Sequence, residues 1–266
     1  MLVKNKIAVI FGGSGAVGHA IAQALAREGA FVYLGARHQH KLDQVVAHIH
    51  NVEGRVKTFI VDVLDEEVTQ TAIKQLAELT GGIDVVINAT SFMHNQGKEL
   101  SALTQHEFMQ GITPFLAAQF NIAKAVVPYM GIKTTGSMMS IIAPSGAMAI
   151  PGHLGHIVGC AGSEAFIKAL ASELGPKNIR VLGVRSHAIA DAAQAGSYTR
   201  ELFSLKAQAM GITLDEWLNG AAQSTMLKRL PTLAQIAETV TFLASDHASA
   251  MTATIVNVTA GATINS

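Results

Sequence analysis

The residues KIAVIF at 6–11 run straight into GGSGAVG, and no other feature constrains the fold of this chain more. An apolar run of strand length that ends in a glycine-rich turn and passes at once into a helical pattern opens a βαβ unit. The alternation continues through AFVYLG (30–35), VKTFIV (56–61), IDVVINA (83–89), SMMSII (137–142), IRVLGV (179–184) and TIVNV (254–258). Between these runs the apolar residues follow helical spacing, as in Ala20, Ile21, Ala24 and Leu25. Strands that are apolar on both faces belong to a parallel sheet covered by helices on both sides. The expected fold is α/β: a single-domain Rossmann-type doubly wound parallel sheet of about seven strands. No Pro/Gly/Ser-rich linker divides residues 1–266. One long helical insertion, about residues 188–228, precedes the last helix and strand, where it would lie as a lid over the carboxyl ends of the strands.

Charge narrows the function classes. Nineteen basic residues balance nineteen acidic ones, with no basic run, so nucleic acid and anionic membrane surfaces are not expected partners. Only 14% of the residues are charged and 49% are apolar, which leaves too little charge to cover a monomer and predicts a homodimer or homotetramer. A single cysteine cannot form an internal disulfide, and the first residues show no cleavable signal and no membrane-length apolar span. A cytoplasmic location is expected.

Gly12, Gly13, Gly15 and Gly18 sit just before a helix, where backbone N–H groups can receive a pyrophosphate. The second strand ends at Ala36-Arg37, where an NAD site usually places a carboxylate. A guanidinium there suits a 2′-phosphate, which predicts NADP(H). Asp62 would accept a hydrogen bond from an adenine or cap the helix that starts near Asp65, and Asn88 closes the fourth strand.

FGGSGAVG, DVVINATS, ASELGPKNIRVLGV and MTATIVNVTAG together resemble the short-chain dehydrogenase/reductase family along essentially the whole chain. The resemblance implies cofactor contacts at Gly12, Ser14, Val17, Gly18, Arg37, Asp62, Val63, Asn88 and Ala89. It also implies a catalytic serine, tyrosine and lysine. Counted back from SELG, the tyrosine position is His156, the lysine position Cys160 and the serine position Ala143, while Ser186-His187 replaces the family's Pro-Gly after the sixth strand. The family's Asn of the fourth helix has no clear counterpart in EFMQGITPF.

His156 is the expected proton donor, as an imidazolium of ordinary pKa near 6.5, with Ser145 and His187 as further catalytic candidates. The reaction implied is reduction of a carbonyl or imine group of a small molecule. An alternative is a nucleotide-binding pseudoenzyme that acts as a sensor or assembly subunit. Two further readings of the histidines stay open: metal ligation by His153, His156 and Cys160 with His94 or His187, and a thiolate–imidazolium pair of Cys160 and His156. The plainer reading makes Cys160 a buried hydrophobe, His153 a solvated loop residue, and His38, His40, His48 and His50 a solvated face.

Overall fold

The computed structural model describes residues 1–49, 55–194 and 198–264; His50 lies outside them. The chain starts with β1 (Ile7–Phe11), α1 (Ala16–Arg27), β2 (Phe31–Ala36), α2 (Gln39–Ala47), β3 (Val56–Ile60), α3 (Glu66–Thr80) and β4 (Val85–Asn88). It continues with α4 (Gln105–Gln110), α5 (Thr113–Val126), β5 (Gly136–Ile142), α6 (Leu154–Leu174) and β6 (Ile179–Ser186). The last elements are α7 (Ala190–Gln194), α8 (Tyr198–Ala209), α9 (Leu214–Ser224), α10 (Leu233–Ala244) and β7 (Thr254–Val258).

The strands form one seven-stranded sheet in the order β3-β2-β1-β4-β5-β6-β7, with every pairing parallel. Order reverses between β1 and β4, and crossovers leave a crevice at the carboxyl ends there. Alternation along β1 shows why the strand reads as a continuous apolar run. Ala8 and Ile10 face a core shared with Ile21 and Leu25 of α1 and Ile236 and Val240 of α10. Val9 and Phe11 face the opposite core, shared with Ile73 of α3, Ile122 of α5 and Ile167 of α6. Both faces are dry, so both side-chain registers must be apolar.

The long lid prediction resolves into three helices, α7, α8 and α9. Thr213 accepts from the Glu216 N–H while the Glu216 carboxylate accepts from the Thr213 N–H, a capping box that starts α9 afresh. Asp65, not Asp62, caps α3 by accepting from the Val68 N–H at 3.0 Å. Among the described residues no helix is long and apolar enough to cross a membrane.

α6 approaches its neighbours too closely for side chains. A Cβ on Gly159 would stand 2.0 Å from the Gly111 carbonyl oxygen, and one on Gly155 2.3 Å from that of Phe108. These are backbone atoms that cannot swing aside, so Gly159→Ala is expected to destabilise the chain by about 3 kcal/mol. Gly220→Ala, in α9 with nothing within 4 Å, is the matched control and should stabilise by ~0.5 kcal/mol or more. Urea unfolding of both variants checks the pair.

Candidate active site

A single cavity of about 1180 Å³ runs along the carboxyl edge of the sheet, from the glycine turn after β1 to the lid. At its nucleotide end, Gly12 has φ +78°, and a Cβ there would lie 2.5 Å from the Ala89 carbonyl oxygen. A Cβ on Gly18 would meet the Gly12 carbonyl oxygen at 2.5 Å. α1 begins at Gly15 with no side-chain cap and no acidic residue in its first turn, so its positive end is open to an anion. Ser14, Val17, Asp62, Val63 and Asn88 all line this part of the cavity. Asn88 is held by accepting from the Thr90 N–H at 3.1 Å and hydroxyl at 2.6 Å. Asp62 accepts from the Leu64 N–H at 3.1 Å. Arg37 is exposed at the end of β2, and His38 and Lys41 line the cavity beside it.

At the other end stands a group of histidines. His156, in the first turn of α6, stacks on His94 with ring centroids 4.1 Å apart, and Phe115 closes on the pair. His94 is fixed by hydrogen bonds on both nitrogens: Nδ1–H donates to the Phe92 carbonyl at 2.8 Å, and Nε2 accepts from the Gln96 amide at 2.8 Å. His153 is fixed in the same way, donating from Nδ1 to the Pro151 carbonyl at 2.8 Å and accepting at Nε2 from the Lys206 ammonium at 2.9 Å. With its surface only 4% exposed, His153 is not the solvated loop residue expected. Lys206 itself comes from α8 of the lid and lies 5.2 Å from the ring of Trp217.

Burial sets the protonation states. Desolvation, reinforced by the charges of His94, His153 and Lys206, pushes His156 down to about 3. Its ring is therefore neutral at neutral pH, which corrects the expectation of an imidazolium acid of ordinary pKa: the rings of His94 and Phe115 enclose it and the Lys206 ammonium acts on it, and all of this disfavours a further positive charge. Cys160 is pushed up to about 12, first by burial and then by the Glu164 carboxylate. Its Sγ lies 3.7 Å from His156 Nε2, so the two form a neutral thiol and a neutral imidazole rather than a thiolate–imidazolium pair. Glu164 is itself engaged by the buried Arg185 of β6 at 2.7 Å. Among the described residues no three His, Cys, Asp or Glu side chains are grouped to hold a metal ion.

The structure thus brings together the three positions counted from the sequence. Cys160 touches His156 and takes hydrogen bonds from the backbone at Ala143 and Gly146. Ser145 is buried in the short 3₁₀ turn after β5 and lines the cavity. His187 lines it too, after the end of β6, with its Nε2 buried and without a hydrogen-bond partner. The residues that sequence reading did not single out are Gln96, Phe115, Lys206 and Trp217. Two come from loop and helix flanking β4's return, two from the lid, and no local motif marks any of them.

A family model described as enoyl-(acyl carrier protein) reductase matches residues 13–263. The chain belongs to the short-chain dehydrogenase/reductase family of oxidoreductases. It is 25% identical over 269 residues to the 3-oxoacyl-(acyl-carrier-protein) reductase FabG of Thermotoga maritima, covering 99% of this chain and 100% of the relative. It is 26% identical over 260 residues to the 7alpha-hydroxysteroid dehydrogenase of Clostridium sardiniense, covering 97% and 94%. The structure of an NAD+-bound xylitol dehydrogenase shares the fold at 19% identity, with a TM-score of 0.87 over 98% of this chain and 100% of that one.

Proposed function

We propose that this chain is an NADP(H)-dependent oxidoreductase that reduces a carbonyl or imine group of a small molecule, with His156, Cys160 and Ala143 standing where the family has its tyrosine, lysine and serine. The observation that carries the reading is the one continuous cavity, which joins the glycine turn at Gly12 to the ring of His156. The cradle fits a dinucleotide: Gly12 and Gly18 leave room that a Cβ would fill, and the uncapped α1 terminus, Ser14 and Val17 suit the phosphates. Arg37 would take the 2′-phosphate, Asp62 and Val63 the adenine, and Asn88 and Ala89 the ribose. The chemistry that the nicotinamide supplies when bound is a hydride.

The chain's own residues then have to hold the substrate and stabilise the charge that develops on its oxygen. His156, neutral, donates an N–H hydrogen bond to the carbonyl oxygen rather than delivering a proton from an imidazolium, and the oxygen, once hydride has added at carbon, takes its proton from solvent water. Ser145 supplies a second donor from the turn after β5, and His187 closes the same end of the cavity. The cation of Lys206 beside these rings disfavours a positively charged iminium and favours a carbonyl. Exposed apolar side chains on α5 and α6, Phe120, Leu154 and Val158, support pairing of these helices with a second copy in a homodimer or homotetramer.

Titration with both cofactors tests the nucleotide assignment. NADPH should bind more tightly than NADH. Arg37→Ala should weaken NADPH on the order of tenfold, a modest factor because the side chain is exposed, and leave NADH unchanged. Equal affinities in the parent chain, or a preference that survives Arg37→Ala, would remove NADP(H) from the reading.

A further inference from the structure

Five polar side chains meet at the lid end of the cavity, and their charges do not balance. Lys206 donates to His153, and its positive charge acts on His153, His156 and His187. His94 stacks on His156. None of the charged groups acting on these five is acidic. The carboxylates that line the cavity are engaged elsewhere. Asp62 accepts from the Leu64 N–H, Asp191 accepts from the Leu233 N–H at 3.1 Å, and Glu238 is paired with Arg27.

A second source of positive potential points to the same place. The 21-residue α6 starts at Leu154, and His153 at its N-cap makes no side-chain capping bond; its first turn has no acidic residue, so its dipole adds to the ammonium. A half-buried ammonium facing a helix N-terminus, with only neutral imidazoles around it, is a cation waiting for its counter-ion. The surroundings also limit the size of the charge. There is one formal cation here among the described residues, and the histidines resist a second, so a monoanion is matched and a phosphoryl dianion is not. Trp217, stacked on Phe203 at 4.5 Å, and the apolar Met148 and Ile150 line the remaining wall and suit a hydrocarbon chain.

We propose that the substrate is a carboxylate-bearing carbonyl compound, an oxo acid whose carboxylate is taken by Lys206 at the N-terminus of α6 while its carbonyl lies at His156. The proposal rests on the oxidoreductase reading for the second half and on the charge arrangement alone for the first. Once the carboxylate is seated, Lys206 exchanges a weak neutral acceptor, His153 Nε2, for an anion. The lid helix that carries Lys206 is then held down by the substrate itself, so closure is coupled to the presence of the correct anionic group.

Trp217 is the chain's only tryptophan and lies 5.2 Å from the Lys206 ammonium, so its fluorescence reports this end of the cavity directly. Hexanoate and hexanamide, which have the same length and differ in charge, are titrated with and without NADP+, with inorganic phosphate as a third probe. Hexanoate should bind at least tenfold more tightly than hexanamide. Lys206→Met, which keeps the unbranched stem, should abolish the difference, and Lys206→Arg should retain most of it; melting curves check that both variants fold. Equal binding of acid and amide, no binding of hexanoate at tens of millimolar, a preference that survives Lys206→Met, or tighter binding of phosphate would each overturn the proposal. Oxidation of NADPH is then followed with 4-oxopentanoate and its methyl ester, and the acid should be the better substrate by a similar factor. Hexanoate has no carbonyl to reduce, so its binding without turnover of any oxo acid would refute the oxidoreductase reading and leave the anion site standing.

Discussion

Replacing His156 by phenylalanine is expected to lower turnover about a hundredfold or more while leaving NADPH affinity nearly unchanged. Phenylalanine fills the same place between His94 and Phe115, so the stacked wall and the start of α6 remain packed, but it offers no N–H to an oxygen that is gaining charge. The pH dependence separates this role from that of a charged acid. An imidazolium donor of ordinary pKa would lose activity as pH rises through about 6.5. A ring already pushed down to about 3 is neutral throughout the range from pH 5 to 8, so the parent chain should show no His156-dependent fall there. The measurement is kcat against pH for both proteins with an oxo acid substrate. A parent profile that falls across pH 6 to 7, together with loss of that fall in His156→Phe, would restore the imidazolium. Full activity in the variant would take the ring out of the reaction altogether.

The fold was legible because the sheet is buried on both faces: Ile10 and Phe11, adjacent in sequence, enter opposite cores and leave an uninterrupted apolar run. The breaks inside the lid were legible as well, though the helical pattern masked them. Gly211, at φ +70°, stops α8, and Thr213 with Glu216 three residues later spells the capping box of α9. His156 and Cys160 could be counted back from the SELG stretch because α6 is one unbroken helix from Leu154 to Leu174, so their four-residue spacing survives folding. His94 was open to the sequence as a residue that could converge on His156, but Phe115 and Lys206, which share that end of the cavity, could not be read. His94 comes from the loop after β4, Phe115 from α5 and Lys206 from the lid, more than a hundred residues from His94, and only tertiary packing brings them to one ring. The neutrality of His156 follows from that packing and not from its own neighbours in sequence. The same holds for His153, which local composition suggests is solvated and which the lid covers through Lys206.

Acid should therefore unfold this protein earlier than its neutral overall charge suggests. His94, His156 and His187 are all held below the ordinary histidine value, first by burial, and His19 and His153 in the same direction. A histidine that stays neutral in the fold and protonates freely near 6.5 when unfolded lets the unfolded chain bind the extra proton, so stability rises with pH across the interval between the two values. The contribution is complete above about 6.5 and is lost as pH falls towards the folded value, at up to ~1.4 kcal/mol per pH unit for each such group. Between pH 6.5 and 5 His156 alone, held at about 3 in the fold, removes up to ~2 kcal/mol, and the other lowered histidines act in the same direction. Urea unfolding at pH 7.5, 6.5, 5.5 and 5.0 should show a nearly flat upper interval and a steep loss below it. His156→Phe removes one of the titrating rings, so its curve should lie less steeply by close to one proton over the same range. A midpoint that stays constant from pH 7.5 to 5.0 would mean that these rings accept protons without leaving the fold. The neutral wall described at the lid end of the cavity, and the flat activity profile that depends on it, would then both be wrong.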